Sequence, residues 1–106
     1  MIFSRTHDFN HDVKKLAKKY PSIFNDLENL FNDLNTNPFQ GDALGDNCFK
    51  IRMAITSKGK GKSGGARVIT CIRIENDTIH LLTIYDKSEI GNISDKYLDS
   101  LRKKIE

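Results

Sequence analysis

Residues 49–56, FKIRMAIT, alternate between apolar and polar side chains. Alternation with a period of two is typical of a β-strand that buries one face. Residues 66–75, ARVITCIRIE, follow a loop of glycine, serine and lysine and are rich in β-branched residues, which favour strands. A tight turn is predicted at Asn76–Asp77, and residues 78–85 carry apolar side chains on both faces, as a central strand does. These consecutive strands predict an antiparallel sheet.

The residues before this sheet have helical spacing instead. Apolar side chains recur three or four positions apart in residues 9–20 and again in residues 23–34, with Pro21 between the two runs. Both runs have one apolar side, so we expect a helical hairpin that lies on the sheet. A short first strand is expected at residues 1–6, and Ser94 predicts the cap of a last helix.

The predicted fold class is therefore α+β, with the order β-α-α-β-β-β-α. It consists of a small antiparallel sheet, an N-terminal helical hairpin packed on one face and a C-terminal helix. With 106 residues, 38% of them hydrophobic and 29% charged, the chain suits one folded domain spanning residues 1–106.

Several classes of protein are excluded by what the sequence lacks. No apolar run is long enough to span a membrane, and the N-terminus has no hydrophobic segment of a secretory signal, so we expect a cytoplasmic protein. Cys48 and Cys71 are too few for a disulfide framework and do not have zinc-ligand spacing. We expect them to be buried free thiols, and we expect no metal and no cofactor.

Positive charge is concentrated in the middle of the chain. Between Asp46 and Glu75 there is no acidic residue, although the net charge of the whole chain is only +3. The cations in this stretch are Lys50, Arg52, Lys58, Lys60, Lys62, Arg67 and Arg73. A patch of one sign attracts polyanions through long-range electrostatics.

The loop at residues 57–65, SKGKGKSGG, is the strongest local signal for an anion. Its Gly61-Lys62-Ser63 matches the end of the phosphate-binding loop of nucleotide triphosphatases. However, Thr56 stands where that motif needs its first glycine, and the loop joins two antiparallel strands rather than a strand and a helix. We therefore exclude nucleotide triphosphate binding. A flexible, solvated hairpin tip remains the simpler alternative.

The flanking strands strengthen the case for a phosphate site. Lys50 and Arg52 project from the face opposite the apolar stripe of their strand, Arg67 opens the next strand, and Lys87 follows the third. Four cations on one side of a sheet repel each other and do not stabilise a core, so their arrangement suggests a phosphate site.

Residues 57–69, SKGKGKSGGARVI, and residues 82–89, LTIYDKSE, together with the order of the elements, resemble the RelE/ParE superfamily. Within it they are most similar to the HigB-like RelE toxins of bacterial type II toxin–antitoxin modules. The resemblance covers nearly the whole chain. It implies a toxin that is a ribosome-dependent, metal-independent mRNA endonuclease and inhibits translation. It also implies two kinds of partner, a cognate antitoxin protein that silences the toxin and mRNA on the ribosome, with contacts to 16S rRNA.

The resemblance also implies catalytic residues. Lys50 and Arg52 match the paired basic residues of the family's second strand, Arg67 the arginine after the hairpin, and Lys87 the basic residue after the following strand. We expect Arg67 and Lys87 to stabilise the phosphorane, and Arg52 or Lys50 to act as general base or acid. The remaining cations of the basic stretch are expected to hold RNA backbone by charge: Lys58, Lys60, Lys62 and Arg73.

The chain departs from the family at one point. Some members place a tyrosine just before the C-terminal helix, whereas residues 90–93 here are IGNI. Tyr85 lies earlier and is expected in the core. Glu89 is a substitute candidate for the general base, or else a surface carboxylate. Two other functions remain open, a ParE-like inhibitor of DNA gyrase and a non-catalytic RNA-binding module.

Overall fold

The computed structural model describes residues 1–106 and contains three helices and a five-stranded sheet. The elements in chain order are β1 (Ile2–Arg5), α1 (His7–Lys19), α2 (Ile23–Thr36), β2 (Asp42–Gly45), β3 (Cys48–Met53), β4 (Ala66–Arg73), β5 (Thr78–Asp86) and α3 (Asp95–Lys103). The predicted α+β class, the helical hairpin and the C-terminal helix are confirmed. As expected, Ser94 caps the last helix, where its side chain accepts a hydrogen bond from the Tyr97 backbone N–H.

The sheet has the strand order β1-β5-β4-β3-β2. Strands β2 to β5 pair antiparallel, whereas β1 pairs parallel with β5, which makes the sheet mixed. The parallel pairing arises because β1 leads directly into α1, and α1 packs over β5. Strand β2 was not predicted, since it is a four-residue edge strand with mostly exposed side chains and no apolar alternation.

The two faces of the sheet are covered differently. On the hairpin face, α1 and α2 bury a large apolar cluster that includes Phe9, Leu34 and Ile84. On the opposite face, called here the α3 face, a smaller cluster joins Leu98 and Leu101 of α3 to the strands. Helix α3 covers only part of its face, and Arg52 at the other end of that face is exposed. That uncovered end is the open part of the sheet.

The two cysteines lie directly opposite each other on β3 and β4, and a disulfide joins them. The expectation of free thiols was therefore wrong. The residues are 23 positions apart in the chain, and only the register of the two strands brings them together. Sequence spacing carries no information about that register.

None of the helices is both long and apolar enough to cross a membrane.

Candidate functional site

A row of three side chains crosses the open end of the α3 face. Arg52 on β3 lies directly opposite Arg67 on β4, and Arg67 lies directly opposite Tyr85 on β5. Two like charges directly opposite each other destabilise a sheet. The arginine pair therefore costs the free protein stability and suits a bound anion.

Two lysines approach the same row from its ends. Lys50 lies two residues before Arg52 on the same face, and its Nζ is 3.4 Å from Oδ1 of Asn92. Lys87 follows β5, and its Nζ donates a hydrogen bond of 2.9 Å to the carbonyl oxygen of Gly91. Because both amines reach adjacent residues of one segment, the structure brings the predicted catalytic cations together at one end of the sheet. These four residues are called here the cation row: Lys50, Arg52, Arg67 and Lys87.

Arg67 is the most buried of these cations, with only 5% of its surface exposed. Its guanidinium donates to three backbone carbonyls, at 2.9 Å to Lys62, 3.2 Å to Ser63 and 3.1 Å to Ala66. Arginine has about five N–H donors, so roughly two remain for a ligand. Arg67 thus holds the lysine loop in place as well as contributing charge.

The loop at residues 57–65 is folded against the sheet. The Lys87 backbone N–H donates to the carbonyl oxygen of Gly65 at 3.0 Å. A Cβ at Gly65 would lie 2.2 Å from the carbonyl oxygen of Met53, so the chain passes too close for any other residue. At the start of the loop, Asp26 of α2 accepts hydrogen bonds from the backbone N–H and the hydroxyl of Thr56. These anchors hold both ends of the loop against the sheet, and a flexible tip between them stays the alternative interpretation.

The three lysines of this loop have different surroundings. Nζ of Lys58 lies 2.8 Å from Oδ1 of Asp86, and the two side chains are 12% and 0% exposed. Lys58 therefore points inward, unlike the solvated position expected for an RNA contact. Lys60 and Lys62 are exposed, as expected. The alternating glycine–lysine pattern makes the three positions look equivalent, so the sequence did not distinguish them.

Comparison with known proteins identifies the family. The family model described as the RelE toxin of the RelE/RelB toxin–antitoxin system matches residues 8–105. This chain belongs to the RelE toxin family. Membership confirms the expected superfamily and makes the protein a toxin of a toxin–antitoxin system, with an antitoxin as its partner. The nearer placement among HigB-like toxins stays a prediction.

The fold of this RelE-family toxin is also found among solved structures. A double arginine-to-alanine mutant of the E. coli toxin RelE, in the free state, matches with a TM-score of 0.66. The match covers 99% of this chain and 97% of that chain at 13% sequence identity. At this identity the likeness shows the shared fold, including the helical hairpin and the C-terminal helix.

Two predicted site residues of the toxin lie apart from the cation row. Arg73, at the far end of β4, forms an ion pair of 2.9 Å with Asp46. Glu89 is exposed, and its carboxylate pairs with Lys19 of α1 at 2.9 Å. Each therefore has a partner of its own in the free toxin.

Asp86 is the residue that the sequence reasoning missed. Its buried carboxylate accepts hydrogen bonds from Nζ of Lys58, from the Tyr20 hydroxyl at 2.7 Å, and from both the backbone N–H and the hydroxyl of Ser88. Burial by itself raises the pKa of Asp86, but these hydrogen bonds outweigh burial and hold the pKa well below its usual range. In the sequence, a single aspartate between a tyrosine and a lysine gives no indication that its carboxylate is buried and hydrogen-bonded.

Tyr85 is buried, as expected of a core residue, with 5% of its surface exposed. Burial raises the pKa of its hydroxyl, and the nearby Arg67 acts in the opposite direction. The hydroxyl oxygen has no hydrogen-bond partner.

In the toxin, no three His, Cys, Asp or Glu side chains form a group able to hold a metal ion.

Proposed function

We propose that this toxin is a ribosome-dependent mRNA endonuclease that inhibits translation and cleaves without a metal ion. The observation that carries the proposal is the convergence of Arg52, Arg67, Lys50 and Lys87 at the open end of the α3 face. Lys50 and Arg52 lie on β3, Arg67 lies on β4 and Lys87 comes directly after β5, an arrangement that suits one phosphate between them. Its site of action would be the cytoplasm, where translation takes place.

Cleavage of RNA without a metal uses the neighbouring 2′-OH as nucleophile. A base takes the 2′-OH proton, the 2′-oxygen bonds to phosphorus, and the bond from phosphorus to the 5′-oxygen breaks as that oxygen takes up a proton. Negative charge builds on the phosphate oxygens in between, and fixed cations lower the energy of that state. In this proposal Arg52, Lys87 and the free donors of Arg67 stabilise the phosphorane.

The proton transfers require a group beside the phosphate that can change its protonation state. Lys50 is our first choice, because its amine extends to Asn92 within the same group of cations. A guanidinium is a poor proton-transfer group, so we assign Arg52 to charge stabilisation. Glu89 is a weaker candidate for general base than the sequence suggested, since Lys19 already holds its carboxylate.

Binding of the RNA backbone would rest on exposed cations. Lys60 and Lys62 project from the loop beside the cation row and suit phosphates of mRNA or 16S rRNA. Arg73 could extend this contact along β4 if an RNA phosphate displaced Asp46. Lys58 is left out of the proposed RNA contact because its charge is already paired inside the protein.

The test is cleavage of a reporter mRNA in a translating extract, followed by primer extension to locate cut sites. We expect the wild-type toxin to cut mRNA only when it is being translated. The variants Arg52→Ala and Lys87→Ala should lose most activity, on the order of a hundredfold or more, since each removes a charge from the transition state. Lys103→Ala, which removes an exposed lysine of α3, is the matched control and should cut normally.

Three results with the purified toxin would favour another function over the endonuclease. A folded, antitoxin-free preparation that leaves translated mRNA intact would refute the endonuclease, and inhibition of purified gyrase by that preparation would point to the ParE-like function. Salt-dependent RNA binding with no cleavage in any context would indicate a plain binding module.

A further inference from the structure

We propose that Asp86 is a positioning residue for the cation row, acting through Lys58 and through its neighbour Lys87. The proposal concerns the same site as the proposed endonuclease and rests on that function for its effect on cleavage. Its structural part, that Asp86 anchors the lysine loop, stands independently.

Asp86 is the last residue of β5. Tyr85 before it belongs to the cluster on the α3 face, whereas the Asp86 side chain turns to the hairpin face and meets Tyr20 at the end of α1. Lys87 comes next in the chain. Its side chain returns toward the α3 face, and its amine donates a hydrogen bond to the carbonyl oxygen of Gly91. Fixing the Asp86 carboxylate on one face therefore fixes the backbone from which Lys87 extends.

Lys58 connects Asp86 to the loop at residues 57–65. Lys58 spans from the loop to Oδ1 of Asp86 at 2.8 Å, and it also donates to the Ser88 hydroxyl at 3.0 Å. At the other end of the loop, the carbonyl oxygen of Gly65 accepts from the Lys87 backbone N–H. The loop is thus tied to residues 86–88 at both of its ends, and Lys60 and Lys62 project from between these ties.

Lys58 and Asp86 form a charged pair that is buried in spite of the cost. Taking two charges out of water is costly, and apolar residues of similar size often stabilise a protein as well or better. A buried pair does, however, enforce one geometry, because any displacement leaves a charge without its partner. At this location the geometry enforced is that of the loop, of Lys87 and of Arg67, whose guanidinium binds the same loop from the α3 face.

The variants Asp86→Asn and Lys58→Met test the proposal, with Lys58→Arg as the conservative replacement. The first readout is the rate of limited digestion by trypsin after Lys60 and Lys62, which rises as the loop opens more often. We expect both variants to be cut about tenfold faster or more than the wild type, since local opening sets the rate, and Lys58→Arg to be largely protected. Asp99→Asn breaks an exposed carboxylate–arginine pair in α3 and is the matched control, with no expected change.

The second readout is single-turnover cleavage of mRNA on programmed ribosomes with toxin in excess. A positioning role predicts that Asp86→Asn lowers the maximal rate by about ten- to a hundredfold, because small misplacements of catalytic groups cost that much. The half-saturating toxin concentration should change by less than about threefold, since the exposed binding cations are untouched. The double variant should lose no more than either single variant, as expected for two residues that act as one unit.

Unchanged trypsin sensitivity in folded Asp86→Asn and Lys58→Met overturns the proposal. A looser loop with an unchanged maximal rate also overturns it, because the anchor would then not serve the reaction. If Asp86→Asn does not fold, the same two readouts on Lys58→Met and Tyr20→Phe test the positioning role. Each of these variants removes one hydrogen-bond donor to the Asp86 carboxylate. A wild-type toxin that cuts no mRNA refutes the endonuclease alone, and the digestion experiment then still tests the anchor.

Discussion

Removing the hydroxyl of Tyr85 should stabilise the toxin, which is the opposite of what most core substitutions do. The hydroxyl is buried on β5 and has no hydrogen-bond partner, so folding strips it of water without replacing the lost hydrogen bond. Such an unpaired group costs about 1–3 kcal/mol. The variant Tyr85→Phe keeps the ring and its packing in the apolar cluster of the α3 face and removes only that cost. We expect the free energy of unfolding to rise by about 1 kcal/mol.

Two other tyrosines provide matched controls for the same chemical change. The Tyr20 hydroxyl donates a 2.7 Å hydrogen bond to the Asp86 carboxylate, so Tyr20→Phe should destabilise the toxin. Hydrogen bonds to charged groups contribute about 1.5–3 kcal/mol, and we expect a loss in that range. Tyr97 is 43% exposed on α3, so Tyr97→Phe should change stability by less than about 0.5 kcal/mol.

Urea denaturation of the three variants measures these differences as shifts of the unfolding midpoint at constant slope. For a domain of this size, 1 kcal/mol also corresponds to a shift of roughly 4–8 °C in the melting temperature. The expected order of stability is Tyr85→Phe above Tyr97→Phe above Tyr20→Phe. A loss of stability in Tyr85→Phe would refute the reasoning, because it would show that the hydroxyl forms a favourable interaction in the folded protein.

Three further predictions follow from the site. Because the hydrogen bonds around Asp86 hold its pKa below the usual 3.8, its ionised form stabilises the fold above that pH. This contribution should be lost as the pH falls from about 5 toward the depressed pKa, so unfolding curves of Asp86→Asn should depend less on pH there, and equal pH dependence would contradict the assignment. Gly65→Ala should cost about 2–4 kcal/mol in urea denaturation, since its Cβ would meet the Met53 carbonyl, whereas Gly61→Ala meets no neighbour and should be nearly neutral. Lys60→Ala and Lys62→Ala should each weaken RNA binding equally for all sequences and reduce the slope of log affinity against log salt by about 1, as measured by fluorescence anisotropy, and an unchanged slope would exclude a phosphate contact.

Local patterns were enough to predict most of the elements of this fold. The alternation in residues 49–56 and the helical spacing around Phe9 and Leu27 each arise from one element packing against a core, so they appear within a few turns or a few residues of sequence. Strand β2 escaped prediction because an exposed edge strand buries little and needs no apolar pattern. The parallel pairing of β1 with β5 was not predicted, because strand pairing depends on contacts between residues that are far apart in the chain.

Amino-acid patterns alone predicted the class of the domain, the stretch that holds the positive charge and the family resemblance carried by its motifs. Which of those charges are exposed and which are paired inside the protein depended on how the strands and the loop pack. Register set Arg52 opposite Arg67 and joined Cys48 to Cys71, and the closing of the loop turned Lys58 inward to Asp86. The physical reason is that periodicity reports whether a side chain is buried, whereas the partner of a buried charge depends on distances between elements that are remote in the chain.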